Sequence, residues 1–308
     1  VAINLKEIAK KEELFTPGHR LCAGCGTAVL MRQVMLAVEG PVVVSMATSC
    51  PFVSTATYPY TAWKVPWIHN AFENAPATIS GVEAAYKALR KRGKITQEIK
   101  FISMAGDGGT YDIGFQALSG ALERGHRFLH ICYNNEAYMN TGIQRSGATP
   151  LGAHTTTSPA GKLIPGKREF RKDLTAIIAA HDIPYVAQTT PFHWRDLMTK
   201  VQKALTVDGP SFINVLTSCH RGWRSDIKDA MQILRLAVDT CYWPLYEVVN
   251  GKWRLNYKVR NKLPVIEWIK PQGRFAHLLK EENQPIVAQI QQKIDENWEK
   301  LLARCVAD

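Results

Sequence analysis

Apolar residues along this chain alternate between short continuous runs and stretches in which they recur every three or four positions. The runs 41–47, 101–105, 128–133, 185–189 and 211–216 predict strands. Between them, the pattern predicts helices from Ala77 to about Leu89, over 173–181 and over 194–205, with another running through Ala37 and one from about Ile227 to Val238. A further helical pattern sets Ile113, Ala117, Leu118, Ala121 and Leu122 on one face, between the runs 101–105 and 128–133. Strands that alternate with helices in this way predict an α/β fold, a mostly parallel sheet with helices on both faces.

The tail has a different texture. Residues 246–255 read as a hairpin turning at Asn250-Gly251, and Ile286, Ile290, Ile294, Trp298 and Leu302 form a stripe at i, i+4 spacing. The expected division is an α/β domain over 1–225 and a C-terminal hairpin and helix extension over 226–308, packed on that domain or on a partner subunit. There is no internal repeat or low-complexity segment.

Composition narrows the class without choosing a function. At 308 residues and 46% hydrophobic content the chain can bury one large core or two smaller ones. Its net charge of +11 admits acidic partners. The basic residues are scattered, however, and the densest group, Arg90 to Lys94, reads as a solvated helix end, so no nucleic-acid partner is expected. Residues 40–63 are uncharged but contain Pro51 and Pro59, which argues for a strand leading into a buried loop rather than a membrane span. The Lys- and Glu-rich opening has no apolar core of a signal peptide, and seven cysteines are an odd number. Both point to a reducing, cytoplasmic setting and to metal or redox use of thiols before disulfides.

Candidate chemistry sits where the runs end. Gly106-Asp107-Gly108-Gly109 follows one run and Asn134-Asn135-Glu136 the next. Glycines let backbone approach phosphate oxygens, while Asp107 and Asn135 offer the hard oxygen ligands that Mg²⁺ prefers. Two other runs end at Cys50 and Cys219, and in an open parallel sheet such ends share one edge, where ligands bind. A Cys22-x-x-Cys25 motif at a predicted helix start adds two thiols. One such pair plus two distant single cysteines suits a cubane iron-sulfur cluster at least as well as structural zinc. Cys132 lies within a strand and reads as a buried apolar residue; Cys241 and Cys305 have no assigned partner. His69, Glu73 and Asn74 are further candidates within reach of the site, with helix caps and turn lining as their ordinary alternatives. The long irregular stretch 140–172 predicts a loop that is either functional or disordered, with a cofactor-covering role favoured for its front end and Arg145 meeting either a substrate carboxylate or a neighbouring subunit. The basic group His220 to Arg224 either tunes a cluster, binds an anion or lines a helix entrance.

Taken together, CAGCG, ATSC, YPYT, WIHNAFENA, GDGGTYDIG, NNEAYMNTG and TSCHRGW resemble the β subunit of the pyruvate:ferredoxin oxidoreductases and their relatives, the 2-oxoacid:ferredoxin oxidoreductases, a family that includes oxalate oxidoreductase. The resemblance covers most of the chain from about Gly18 to Gly251 and implies the thiamine diphosphate-binding fold. It implies oxidative decarboxylation of a small 2-oxoacid, with electrons passed singly to a proximal [4Fe-4S] cluster and on to ferredoxin. By position it makes Cys22, Cys25, Cys50 and Cys219 the cluster ligands and Asp107, Asn135 and the carbonyl of Ala137 the Mg²⁺ ligands. Gly106, Gly108, Gly109, Thr141, His69 and Asn74 join them as cofactor-binding residues, and Asn140 stands near the reacting carbon as the catalytic candidate. Asn134 departs from the family, where many members have Asp. No C-x₂-C-x₂-C-x₃-C-P run is present, so the resemblance implies a γ/δ-type partner with ferredoxin-like clusters. It likewise implies an α subunit that completes the thiamine site, and a chain inactive alone. Pyruvate is the commonest substrate in the family, with oxalate, 2-oxoisovalerate and 2-oxoglutarate as alternatives; the positive charge mildly favours oxalate. A cluster-free thiamine diphosphate lyase and a non-enzymatic zinc or iron-sulfur module are the competing readings.

Overall fold

Six parallel strands and an antiparallel hairpin form one eight-stranded sheet in a computed structural model that describes residues 3–305. The strands are β1 (Val42–Ala47), β2 (Trp67–Asn70), β3 (Lys100–Gly106), β4 (Leu129–Asn134), β5 (Tyr185–Thr189), β6 (Ser211–Leu216), β7 (Tyr246–Val249) and β8 (Lys252–Leu255). Their order across the sheet is β2-β1-β3-β4-β6-β5-β7-β8. All five predicted runs are strands. The pattern does not foresee β2, because an edge strand of sequence WIHN carries polar side chains and makes no apolar run.

Side chains alternate across the sheet, so each strand feeds two cores. Val44, Met46, Ile102, Met104, Ile131 and Val215 face one layer, which includes helices Gly26–Ala37 and Trp194–Thr206. Phe101, Cys132, Val186, Phe212 and Leu216 face the other, which includes helices Ala75–Lys91, Phe115–Glu123 and Ala230–Asp239. This second face also carries a buried polar seam. The ring nitrogens of His130 lie 3.1 Å from Ser103 Oγ and 3.3 Å from Thr110 Oγ1, and the amides of Asn134 and Asn214 both donate to the Tyr111 hydroxyl.

One helical face departs from expectation. Residues Gly108–Asp112 form a π-turn, closed by the Ile113 N–H on the Gly108 carbonyl at 3.2 Å, before helix Phe115–Glu123 begins. The wider turn shifts the phase of the pattern. Leu118, Ala121 and Leu122 are buried as predicted, whereas Ile113 is turned outward and 56% exposed.

The sheet continues past the expected boundary at 225/226. β7 pairs antiparallel with β5, and Asn250-Gly251, both in the left-handed region, make the turn into β8. Buried Glu247 of β7 accepts hydrogen bonds from the Tyr185 hydroxyl and Lys203. The last helix, Gln284–Cys305, packs Val287, Ile290, Ile294, Trp298 and Leu301 into the same core as the second face.

Candidate cofactor site at the strand ends

β1, β3, β4 and β6 are consecutive neighbours and run parallel, so their carboxyl ends stand in a row on one edge. Just beyond them come Cys50, Asp107, Asn135 and Cys219. A cavity of about 110 Å³ opens there, lined by Gly106, Asp107, Gly108, Gly109, Asn135, Ala137, Asn140 and Thr141 together with Cys50. A larger cavity, about 150 Å³, lies under helix Gln284–Cys305 between Arg171, Trp253 and Trp298, away from this edge.

The glycines are set by close approach. A Cβ on Gly108 would run into the Tyr138 ring, and one on Gly109 would stand 3.0 Å from the Phe72 carbonyl. Tyr138 lies over the turn with its hydroxyl 3.1 Å from Asp112 Oδ2, its shorter acceptor, and 3.3 Å from the Gly108 carbonyl. Any side chain here would fill the space between turn and ring, which leaves the backbone bare toward the cavity.

Asp107 is buried, and burial raises its carboxyl to about 7, opposed by the hydroxyl of Ser146, which donates to Oδ2, and by the Asn135 N–H, 3.3 Å from Oδ1. Without a cation the carboxyl therefore holds its proton close to neutrality. The side-chain amide of Asn135 is wedged 3.0 Å from Asp107 Oδ1 and 2.9 Å from the Ala137 carbonyl. With its nitrogen turned that way it donates to both. With its oxygen turned that way, that oxygen faces two others at 3.0 Å and 2.9 Å, spacings that a magnesium ion bound at about 2.1 Å from each would bridge. The donor set thus fits a small hard cation. Asn134 does not compete for it: its amide donates to Tyr111 and its Oδ1 accepts the Glu136 N–H at 3.0 Å, so it shapes the turn.

The thiols gather from three segments. Cys25 closes on the Cys22 carbonyl at 3.1 Å and starts helix Gly26–Ala37, while the Gly26 N–H donates to the Ser218 carbonyl, also at 3.1 Å, next to Cys219. Cys50 opens helix Cys50–Thr55, and Cys219 Sγ accepts the Gly222 N–H at 3.4 Å. Burial pushes the Cys50 thiol up to about 12, with Cys219, Cys25 and Cys22 adding like-charge repulsion, so the four sense one another through space. Among the described residues no three His, Cys, Asp or Glu side chains stand close enough to hold one metal ion directly.

His69 and Asn74 do not line the cavity. His69 stacks on Phe52 at 3.5 Å and lies 2.7 Å from Thr48 Oγ1, so Thr48 stands between it and the cavity; Asn74 begins helix Ala75–Lys91. Arg145 pairs with Glu169 at 3.7 Å. Sequence reasoning missed the residues that frame the site: Tyr133, Tyr138, Met139 and Phe72 along its wall, and Ser146 behind Asp107. Tyr138 and Met139 immediately follow the motif Asn135-Glu136-Ala137, and that proximity is the signal that could have found them.

Residues 47–215 match the family described as thiamine pyrophosphate enzyme, C-terminal TPP binding domain. The chain is 51% identical to the pyruvate synthase subunit PorB of Thermotoga maritima, over 97% of this chain and 96% of that one. The PorB subunit of Methanocaldococcus jannaschii is 53% identical, over 94% and 97%. The chain belongs to the β-subunit family of the 2-oxoacid:ferredoxin oxidoreductases. Its relatives extend to the ketoisovalerate oxidoreductase subunit VorB of Pyrococcus abyssi, 43% identical over 94% and 93%. A chain of the 2-oxoglutarate:ferredoxin oxidoreductase of Magnetococcus marinus shares the fold, with a TM-score of 0.54 at 18% identity over 70% of this chain and 76% of that one. As a family member the chain is one subunit of a thiamine diphosphate-dependent oxidoreductase that works with partner subunits.

Proposed function

We propose that this subunit serves a pyruvate synthase. In this reading Asp107, Asn135 and the Ala137 carbonyl hold Mg²⁺, the Gly106 to Gly109 backbone receives the diphosphate, and Cys22, Cys25, Cys50 and Cys219 hold a [4Fe-4S] cluster. The observation that carries it is that Cys50 and the oxygen set at Asp107 line one cavity. When bound, thiamine diphosphate supplies the carbon nucleophile for the 2-oxo group and the electron sink for decarboxylation. The chain's own residues orient and enclose. Asn140 and Thr141 stand at the cavity where a substrate enters, and Phe72, Tyr133, Tyr138 and Met139 give it apolar walls that exclude water. A cluster held by Cys50 would lie beside the cavity and would supply a one-electron acceptor there.

Pyruvate is favoured because the PorB subunits of Thermotoga maritima and Methanocaldococcus jannaschii, over half identical across nearly the whole chain, belong to pyruvate synthases. The reading further assigns an α subunit that completes the thiamine site, a γ/δ-type subunit with ferredoxin-like clusters, ferredoxin as acceptor, and a cytoplasmic setting. No described helix is long and apolar enough to cross a membrane.

Anaerobic purification of the assembled complex, followed by iron, sulfide, zinc, magnesium and thiamine analysis and by assay with each 2-oxoacid and a low-potential acceptor, tests this. Expected are thiamine, magnesium, highest kcat/KM with pyruvate, and loss of one cluster's iron in Cys50→Ser. Zinc at the thiols, or a complex without thiamine diphosphate, would overturn it.

A further inference from the structure

Glu136 stands between Asn135 and Ala137, two of the three oxygen donors, and its backbone takes the left-handed region at φ 67°. That region is unfavourable for any residue with a side chain beyond Cα and persists only where surrounding contacts impose it. Its backbone is held from nearby, the N–H donating to Asn134 Oδ1 at 3.0 Å and the carbonyl accepting from Thr149 Oγ1 at 2.7 Å, while its side chain is held from the C-terminal part of the chain. Arg274 Nη2 is 2.5 Å from Glu136 Oε2, and the Tyr242 hydroxyl donates to Oε1 at 2.5 Å. Glu136 is 0% and Arg274 2% exposed, so the ion pair is desolvated and directional. The guanidinium is fixed in turn. It donates to Gln272 Oε1 at 2.6 Å through Nη2 and at 3.0 Å through Nε, and lies over the Trp223 ring at 4.3 Å. The Trp223 indole N–H donates to the Asn135 carbonyl at 2.8 Å, so Arg274 reaches the turn twice, once through Glu136 and once through Trp223.

We propose that Arg274 and Tyr242 are positioning residues for the cation site: by pinning the Glu136 side chain they hold the Asn135 amide and the Ala137 carbonyl at the spacing a small octahedral cation requires. The proposal rests on the magnesium reading given above. Neither residue lines the cavity, and both lie outside the segment 47–215 that matches the thiamine family. Partners behind the ligands of a metal commonly set its affinity by fixing the ligands' orientation before the ion arrives. A rigid turn presents the oxygens ready-made. Released, Glu136 relaxes from its left-handed conformation and carries its two neighbours out of register.

The test uses the assembled complex, stripped of divalent metal and titrated with Mn²⁺ in the presence of thiamine diphosphate, with free Mn²⁺ read by electron paramagnetic resonance. Arg274→Met is expected to raise the apparent Kd about tenfold or more and Arg274→Lys less, the lysine keeping the charge but losing the fork. Tyr242→Phe, which removes one hydroxyl, moves the Kd the same way by a smaller factor and keeps the test open should Arg274→Met fail to assemble. At saturating metal and cofactor kcat returns toward wild type, a split that loss of folded protein would not give. An unchanged Kd in a folded Arg274 or Tyr242 variant overturns the proposal. An Asp107→Ala complex that binds Mn²⁺ as tightly as the wild type overturns the magnesium reading, and this inference with it.

Discussion

His130 lies wholly inside the second face of the sheet, stacked on Phe212 at 5.8 Å, and burial pushes its pKa down to about 3. An unfolded histidine titrates near 6.5, so below that pH the unfolded chain takes up a proton that the folded chain refuses until about 3. Stability from this residue is complete above the unfolded value and is lost as pH falls through that window, by about 1.4 kcal/mol per pH unit. Unfolding free energies measured between pH 7 and 5 should show a steeper acid loss in the wild type than in His130→Gln; equal slopes would contradict this. Single residues were also where the sequence spoke most clearly. Asp107 and Asn135 could be picked out because their residue types suit a hard cation and each follows an apolar run, whereas Ala137 entered only through the family resemblance. Glu136 and Ser146 could not: their importance lies in a backbone conformation and in a contact with Asp107 from 39 residues away.

Helix Gln284–Cys305 shows how far periodicity reaches. Its stripe was legible, and Ile290, Ile294 and Trp298 are indeed the buried face, joined by Val287 and Leu301. Trp298→Ala should cost about 3–5 kcal/mol, as for other large aromatic truncations in a core, read as a lower denaturant midpoint with unchanged cofactor content. A loss of cofactor at full stability would instead tie this helix to the site. Other elements escaped the pattern for identifiable reasons. The π-turn adds a residue to its turn and so breaks the 3.6-residue count, which is why Ile113 was misassigned to the buried face. β2 is too short and too polar to register as a run. The stretch 140–172 is irregular as expected, yet residues 146 to 153 are buried, because Ser146, Thr149 and Lys167 satisfy one another and the turn above them.

Across the whole molecule, the parallel order of β1, β3, β4 and β6 converts residues far apart in sequence into one edge, and this could be anticipated because each run ended in a reactive residue. Strand order itself, with β6 inserted between β4 and β5, was not legible, since apolar runs do not state their neighbours. The expected extension is also more deeply joined than its composition suggested, sharing both sheet and core with the rest. Ending the chain after residue 225 would strip β7 from β5 and both clamps from Glu136; the expected result is aggregated protein that fails to co-purify with partner subunits, and a monodisperse cofactor-binding fragment would refute it. The same clamp has a consequence in time. Arg274 is 138 residues downstream of Glu136, and at the usual 5–20 residues per second a ribosome needs roughly 7 to 30 s to deliver it. During that interval the nascent sheet can already pair β1, β3 and β4 while the turn beside Asp107 is still unfastened. On the proposal that this clamp holds the cation site, the cofactor would be captured only once the chain is complete.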